Sequence, residues 1–272
     1  MKNDNSKFPF NYFLSTITPI RAFANRNNLK WYQIIIIIIF LNSLISIPMT
    51  LHYATENVVN IENLYPEVFE LVNEETAAII NQSETENIVV NDDSVVVINP
   101  SQNYENYTEG FNTYLVVSDD EFIFTESGQP EISIFTDHFF ENTGEVNADI
   151  IVHEINRLWE NQNRVLIVLF FSILISLATL AMLVSLIAGS AFFMSLTKKS
   201  KVTDINSFKE SVIIVLNSLG IPTLVAMLIG FIDYNIITMM TIQMLGLVIM
   251  ILTIYYKTQF KSIEKNSELN NR

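Results

Sequence analysis

The side chains best suited to chemistry in this sequence are three histidines, His52, His138 and His153, and two acidic runs, Asp92-Asp93 and Asp119-Asp120-Glu121. A zinc site needs clustered ligands, such as two histidines at helical spacing with a carboxylate close by. These histidines lie far apart, so surface or capping roles are expected of them. Calcium gathers several oxygen ligands, and neither acidic run has the alternating D-x-D-x-D-G spacing that wraps the ion, so both read as turns between strands. There is no cysteine, which removes disulfides, thiolate nucleophiles and cysteine-held metals. GxSxG, phosphate-loop, HExxH and kinase signatures are also missing. The expectation is a protein that is not an enzyme, with no catalytic, metal or cofactor-binding residue and no cofactor.

A second set of polar residues draws attention because of where it sits. Asn42, Ser43, Ser46, Asn217, Ser218, Thr241 and Gln243 interrupt long apolar stretches, and Pro222 lies four residues after Ser218. In hydrocarbon such groups bond between helices at about 0.6 to 2 kcal/mol each. A permeation route usually adds buried ionisable residues, and none stands in the middle of a stretch. Pro222 cannot donate to the carbonyl of Ser218, so a kink is expected, with Asn217 and Ser218 near enough to bond the freed groups. The intramembrane candidates are therefore Asn42, Asn217, Ser218, Pro222 and Gln243, read first as helix glue and second as part of a transport path.

The elements that position these residues are four apolar blocks: Ile34 to Leu51, Val165 to Leu196, Val212 to Ile232 and Ile236 to Tyr256. A hydrocarbon core of about 30 Å needs about 20 mostly apolar helical residues, so each block is long enough to span or nearly so. The six isoleucines Ile34 to Ile39 would suit a strand, but a lone spanning segment must be helical to satisfy its own backbone. The run is also too long for a signal-peptide core, which reaches about 15 residues at most, so it reads as an uncleaved anchor. Pro48 marks where the chain is expected to leave that helix. The second block, at about 48 Å, exceeds the membrane and must tilt, protrude or break, with Gly189-Ser190 the expected break.

Orientation follows from the bases. From His52 to Asn163 there are 23 acids and a single base, Arg157, while the rest of the chain carries 14 bases and 6 acids. Four crossings put 13 of the 15 bases on one side, the cytoplasmic one by the positive-inside rule. Aromatic residues agree: Trp31, Tyr32, Tyr255 and Tyr256 mark inner ends, and Tyr53, Trp159 and Tyr234 mark outer ends. The predicted fold class is an α-helical integral membrane protein of four transmembrane helices with an inserted extracytoplasmic α+β domain. Its parts are a cytoplasmic N-terminal segment (1–31), helices at 32–51, 164–196, 211–232 and 236–256, the acidic domain (52–163), a basic cytoplasmic loop (197–210) and a cytoplasmic tail (257–272). Both termini are expected inside.

Within the acidic region, Val68, Leu71, Val72 and Ile79 have helical spacing after Pro66, and "NIVVNDDSVVVINP", "TYLVVSDDEFIFTES" and "EISIFTD" have the composition of antiparallel strands. A closing helix carries Ile151, Ile155, Leu158 and Val165 on one face and runs into the second crossing without proline or glycine. The N-terminal "FPFNYFLSTITPIRAFAN" places Thr18 as a helix cap before Pro19. It lies either along the inner membrane face or against the protein's own helices.

"YFLSTITPIRAFANR", "FLNSLISIP" and "SFKESVIIVLNSLGIPTLVAML" resemble, in order, a bacterial domain-of-unknown-function membrane family often labelled maltodextrin-utilisation (MalA-like) proteins, and distantly the Yip family. The resemblance implies a plasma-membrane protein accompanying carbohydrate uptake, and supplies no catalytic residue. The function expected is a non-enzymatic accessory or sensor, with a small transporter or channel as the alternative. Expected partners are the lipid bilayer and a membrane protein or a second copy, with an extracellular ligand of unknown identity and no nucleic acid.

Overall fold

The structure is a computed structural model that describes residues 8–55, 59–82, 86–136, 145–197 and 203–261. His138 lies outside these residues. The chain divides into two compact units, one made of Met1–Thr55 with Val168–Arg272 and the other of Glu56–Ile167.

The second unit is built on a five-stranded sheet: β1 (Asn87–Asn91), β2 (Ser94–Ile98), β3 (Thr113–Val117), β4 (Glu121–Thr125) and β5 (Ile132–Phe135), in that spatial order. Asp92-Asp93 and Asp119-Asp120 form the tight turns of the β1–β2 and β3–β4 hairpins, and Asp92 takes a positive φ of 32°. The pairing corrects one expectation, since β2 and β3 are parallel while the other pairs are antiparallel. Parallel neighbours need a crossover of about a dozen residues or more. The chain between Ile98 and Thr113 supplies one and carries the short helix α6 (Glu105–Thr108).

That crossover explains why β2 is a continuous apolar run. One face of the sheet buries Val96, Ile98, Leu115, Val117, Phe122 and Phe124, and the other buries Val95, Val97, Val116 and Ile123 under Tyr104, Tyr107 and Phe111. A strand covered on both faces loses its polar alternation. On the first face lie α4 (Pro66–Glu70) and α5 (Glu74–Gln82), two helices where the spacing predicts one. Asn73 divides them by accepting from the Thr76 N–H at 3.0 Å, which caps a new helix. The other helical cover is α7, Ala148–Leu196, capped by Asn147, whose side chain accepts from Ile150 N at 2.8 Å. Its Ile151 and Ile155 are fully buried in the sheet core. Further along, Gln162 pairs with both backbone groups of Phe135 on the edge strand, and Trp159 packs against the core, where an interfacial ring was expected.

The first unit contains α1 (Phe10–Ile17), α2 (Pro19–Ala24), α3 (Trp31–Thr55), the later part of α7, α8 (Phe208–Ile232) and α9 (Ile236–Thr258). Four of these, α3, α7, α8 and α9, are long and apolar enough to cross a membrane. The expected helix exit at Pro48 and break at Gly189 do not occur. Pro48 costs α3 one donor but stays helical and buried, and the open space around Gly189 imposes no bend. The centre of this unit is α8: 67% of its apolar window is buried, against 6% for α7. From Glu210 to Gly220 every α8 residue is buried, the pattern of a helix surrounded by protein. Its neighbours are α3, α9 and the two short N-terminal helices.

Candidate functional site

The polar residues of the apolar helices separate into two groups. Asn42 on α3 donates to the Ser176 carbonyl and hydroxyl on α7 at 3.1 and 3.0 Å and accepts from Thr179 at 3.0 Å. Ser46 joins this group through the Asn42 carbonyl and the Ser176 hydroxyl. Their polar groups are paired with one another, so the cluster ties α3 to α7. Ser176 and Thr179 are invisible as partners in the sequence, because small hydroxyls are common on such helices.

The second group lies on α8. Asn217 donates to the Ala22 carbonyl of α2 at 3.0 Å, and Tyr12 of α1 donates to the Leu216 carbonyl at 3.1 Å. The Ser218 hydroxyl donates to Ile214 O at 2.8 Å, so neither Asn217 nor Ser218 bonds the carbonyl that Pro222 leaves without a donor, as had been expected. Gln243 of α9 donates to Thr223 at 2.8 Å, and both are buried. Two glycines fit the helices together. A side chain at Gly220 would strike Thr16, and one at Gly246 would strike Pro222 at 2.6 Å. The five candidates therefore do not converge: Asn42 faces α7, Asn217 faces α2, Ser218 its own helix, Pro222 faces Gly246 and Gln243 faces Thr223.

A charged pair closes this second group. Glu210, buried at 6% exposure, accepts from Arg26 Nε at 3.2 Å and from the Asn206 N–H at 3.2 Å, while Ser207 caps α8 by accepting from Glu210 N. Ser207-x-x-Glu210 has the capping-box pattern, legible in the sequence, but the acid reaches back to the Asn206 N–H and the Ser207 hydroxyl, and it also serves a partner 184 residues away. The Arg26 guanidinium stacks over Phe23 at 4.3 Å, and Phe23 meets Phe260 at 5.8 Å. At the far end of the apolar helices, His52 stacks on Tyr234 at 4.2 Å and Tyr53 on Phe171 at 5.5 Å, so His52 is an aromatic partner there.

In the sheet-bearing unit, α7 and the 59–63 segment border an open cleft of about 470 Å³ lined by amides and acids, among them Asn60, Glu62, Asp149 and Glu160, with His153 and Arg157. Asn156 at its floor accepts from Ile61 N at 2.9 Å and holds the segment in place. Among the described residues, no three His, Asp or Glu side chains converge as metal ligands. Elsewhere on the domain Glu86 accepts from the Ser101 hydroxyl and N–H and from Tyr107, and these bonds hold its carboxyl below the ordinary carboxylate value. The cleft can hydrogen-bond a polar ligand.

No family model and no solved structure matches the chain. Two curated proteins do, over nearly their whole length. A maltodextrose utilization protein, MalA, of Streptococcus pneumoniae is 27% identical over 261 residues, covering 93% of this chain and 97% of the relative. A putative maltodextrin utilization protein, YvdJ, of Bacillus subtilis is 21% identical over 269 residues, covering 92% of this chain and 90% of the relative. Neither likeness bears on the distant Yip resemblance. Together the two relatives support a MalA-like maltodextrin-utilisation family for this chain.

Proposed function

We propose that the chain is a multi-pass protein of the bacterial plasma membrane that acts as a non-enzymatic accessory or sensor in maltodextrin use. The α+β unit lies outside the cell and both termini lie inside. The observation that carries this reading is α7, a single helix whose first turns are part of the sheet core and whose later turns form an apolar span. A ligand meeting the polar cleft beside Asp149 and Asn156 contacts the same helix that enters the bilayer. The names of the relatives point to the physiological setting, and the distribution of bases gives the orientation.

The test combines growth and co-purification. Deleting the gene slows growth on maltodextrin and not on glucose, and the protein solubilised in mild detergent from maltodextrin-grown cells carries a component of the sugar uptake system. Equal growth on both sugars together with recovery of no membrane partner sinks the reading. A small transporter or channel is the second reading, favoured by Asn217 Oδ1, which is buried with no hydrogen-bond partner among the described residues. Solute flux into proteoliposomes that requires the protein would promote it over the first.

A further inference from the structure

We propose that the α1–α2 hairpin is a re-entrant element, inserted about halfway into the bilayer from the side that carries the basic 197–210 loop, with its outer face against acyl chains. This rests on the membrane reading above and adds a fifth membrane-embedded segment that does not cross.

The inner face of the hairpin is fixed by the contacts with α8. At its base Arg26 meets Glu210; deeper, Ala22 and Tyr12 meet Asn217 and Leu216; deeper still, Thr16 lies against Gly220. Glu210 to Gly220 is ten residues of helix, about 15 Å at 1.5 Å per residue, which is half of a hydrocarbon core of about 30 Å. Beyond Gly220, the turn residues Ile17 and Pro19 line an apolar groove with Ile221, Pro222, Val225 and Gly246. The chain thus enters, turns at Thr18 and returns. Part of its backbone is provided for: Thr18 Oγ1 accepts from the Arg21 N–H at 3.4 Å, Pro19 has no N–H to satisfy, and the Ala22 carbonyl is taken by Asn217.

The outer face decides the medium. Phe10, Phe13, Ile17 and Ile20 are 68%, 42%, 58% and 37% exposed, and the surface beside Ile17 continues into Ile221 and Val225 of α8, exposed to a similar degree. A contiguous apolar surface of this kind is costly in water and matched by acyl chains. A helix lying flat at the headgroups would keep its polar face in water, but here Tyr12, Ser15 and Thr16 are buried against protein. The one charge inside the hairpin, Arg21, stands two residues past the first residue of α2, and its long stem lets the guanidinium reach back to the headgroups. It therefore sets a limit on depth at about mid-membrane.

The cysteine-free chain allows a direct test in membranes. Single variants Ile17→Cys, Phe13→Cys, Leu224→Cys and Asn28→Cys are treated with a membrane-impermeant maleimide in opened vesicles, then labelled with bimane and quenched by lipids bearing a nitroxide either on the headgroup or deep on the acyl chain. Asn28 labels freely; Ile17, Phe13 and Leu224 do not, and bimane at Ile17 is quenched more by the deep nitroxide than by the headgroup nitroxide. Free labelling at Ile17 and Phe13 with Leu224 still protected overturns the hairpin alone. Stronger headgroup quenching at Ile17 places the segment flat on the surface and also overturns it. Free labelling at Leu224 as well removes the membrane reading itself, and the hairpin with it.

Discussion

The two units bury similar aliphatic side chains and are held together by different forces. In the sheet-bearing unit, Phe122, Phe124, Leu115 and Ile134 are removed from contact with water, and each contributes by the hydrophobic effect. In the helical unit, on the proposed membrane placement, lipid is as apolar as leucine, so burying Leu216 or Ile213 gains only packing. The structure matches this difference. Among the described residues its long-range side-chain bonds include Asn42 with Ser176 and Thr179, Ser46 with Ser176, Asn217 with Ala22, Tyr12 with Leu216 and Gln243 with Thr223, and the helices approach closely at Gly220, Gly230 and Gly246. Specific polar bonds and small residues replace the bulk term.

Substitutions can break that contrast, and their effects should fall in a definite order. The largest is expected for Phe124→Ala, which empties a fully buried ring site in the water-driven core and should cost about 4 kcal/mol, read as loss of the domain's unfolding transition. Glu210→Ala comes next, because it removes the carboxylate that pairs with Arg26 and accepts from the Asn206 N–H; a loss of about 3 kcal/mol is expected, seen as a lower melting temperature in detergent. A restored melting temperature in the double variant Arg26→Leu, Glu210→Ala would confirm that loss of the ion pair is the cause. Asn42→Ala should cost about 1 kcal/mol, and a much larger loss would show that the cluster does more than join α3 to α7. The smallest effect is on pH. The bonds from Ser101 and Tyr107 hold Glu86 below its ordinary value of 4.5, so they stabilise the folded domain above that pH and are lost as pH falls through the depressed value. Glu86→Gln should flatten the acid side of the domain's stability profile, and an unchanged profile would remove Glu86 from the account.

What the sequence made legible follows the range of each interaction. The strands and both acidic hairpin turns rest on neighbours within a few residues, and composition alone locates them. The parallel β2–β3 pair escapes because it depends on where a crossover folds back. The polar residues of the apolar blocks stand out individually, yet the partner of Asn217 is a backbone carbonyl at Ala22, which no side-chain pattern can signal. Pro48 and Gly189 carry local breaking tendencies, but both helices run through them, and on the proposed membrane placement the remaining backbone bonds outweigh a single residue's preference. Ser207 and Glu210 show the mixed case: the capping-box pattern is local and readable, whereas Arg26 arrives from the other end of the chain.

That separation in sequence orders the events of synthesis. Glu210, the anchor of the hairpin, is made 184 residues after Arg26, and at about 5 to 20 residues per second this is a wait of about 10 to 40 s. Throughout that interval neither the Leu216 carbonyl that Tyr12 bonds nor the Glu210 carboxylate that Arg26 bonds has been made. Residues 31–167, which hold α3 and the sheet-bearing unit, are therefore made before the contacts of α1 and α2 with α8 can form.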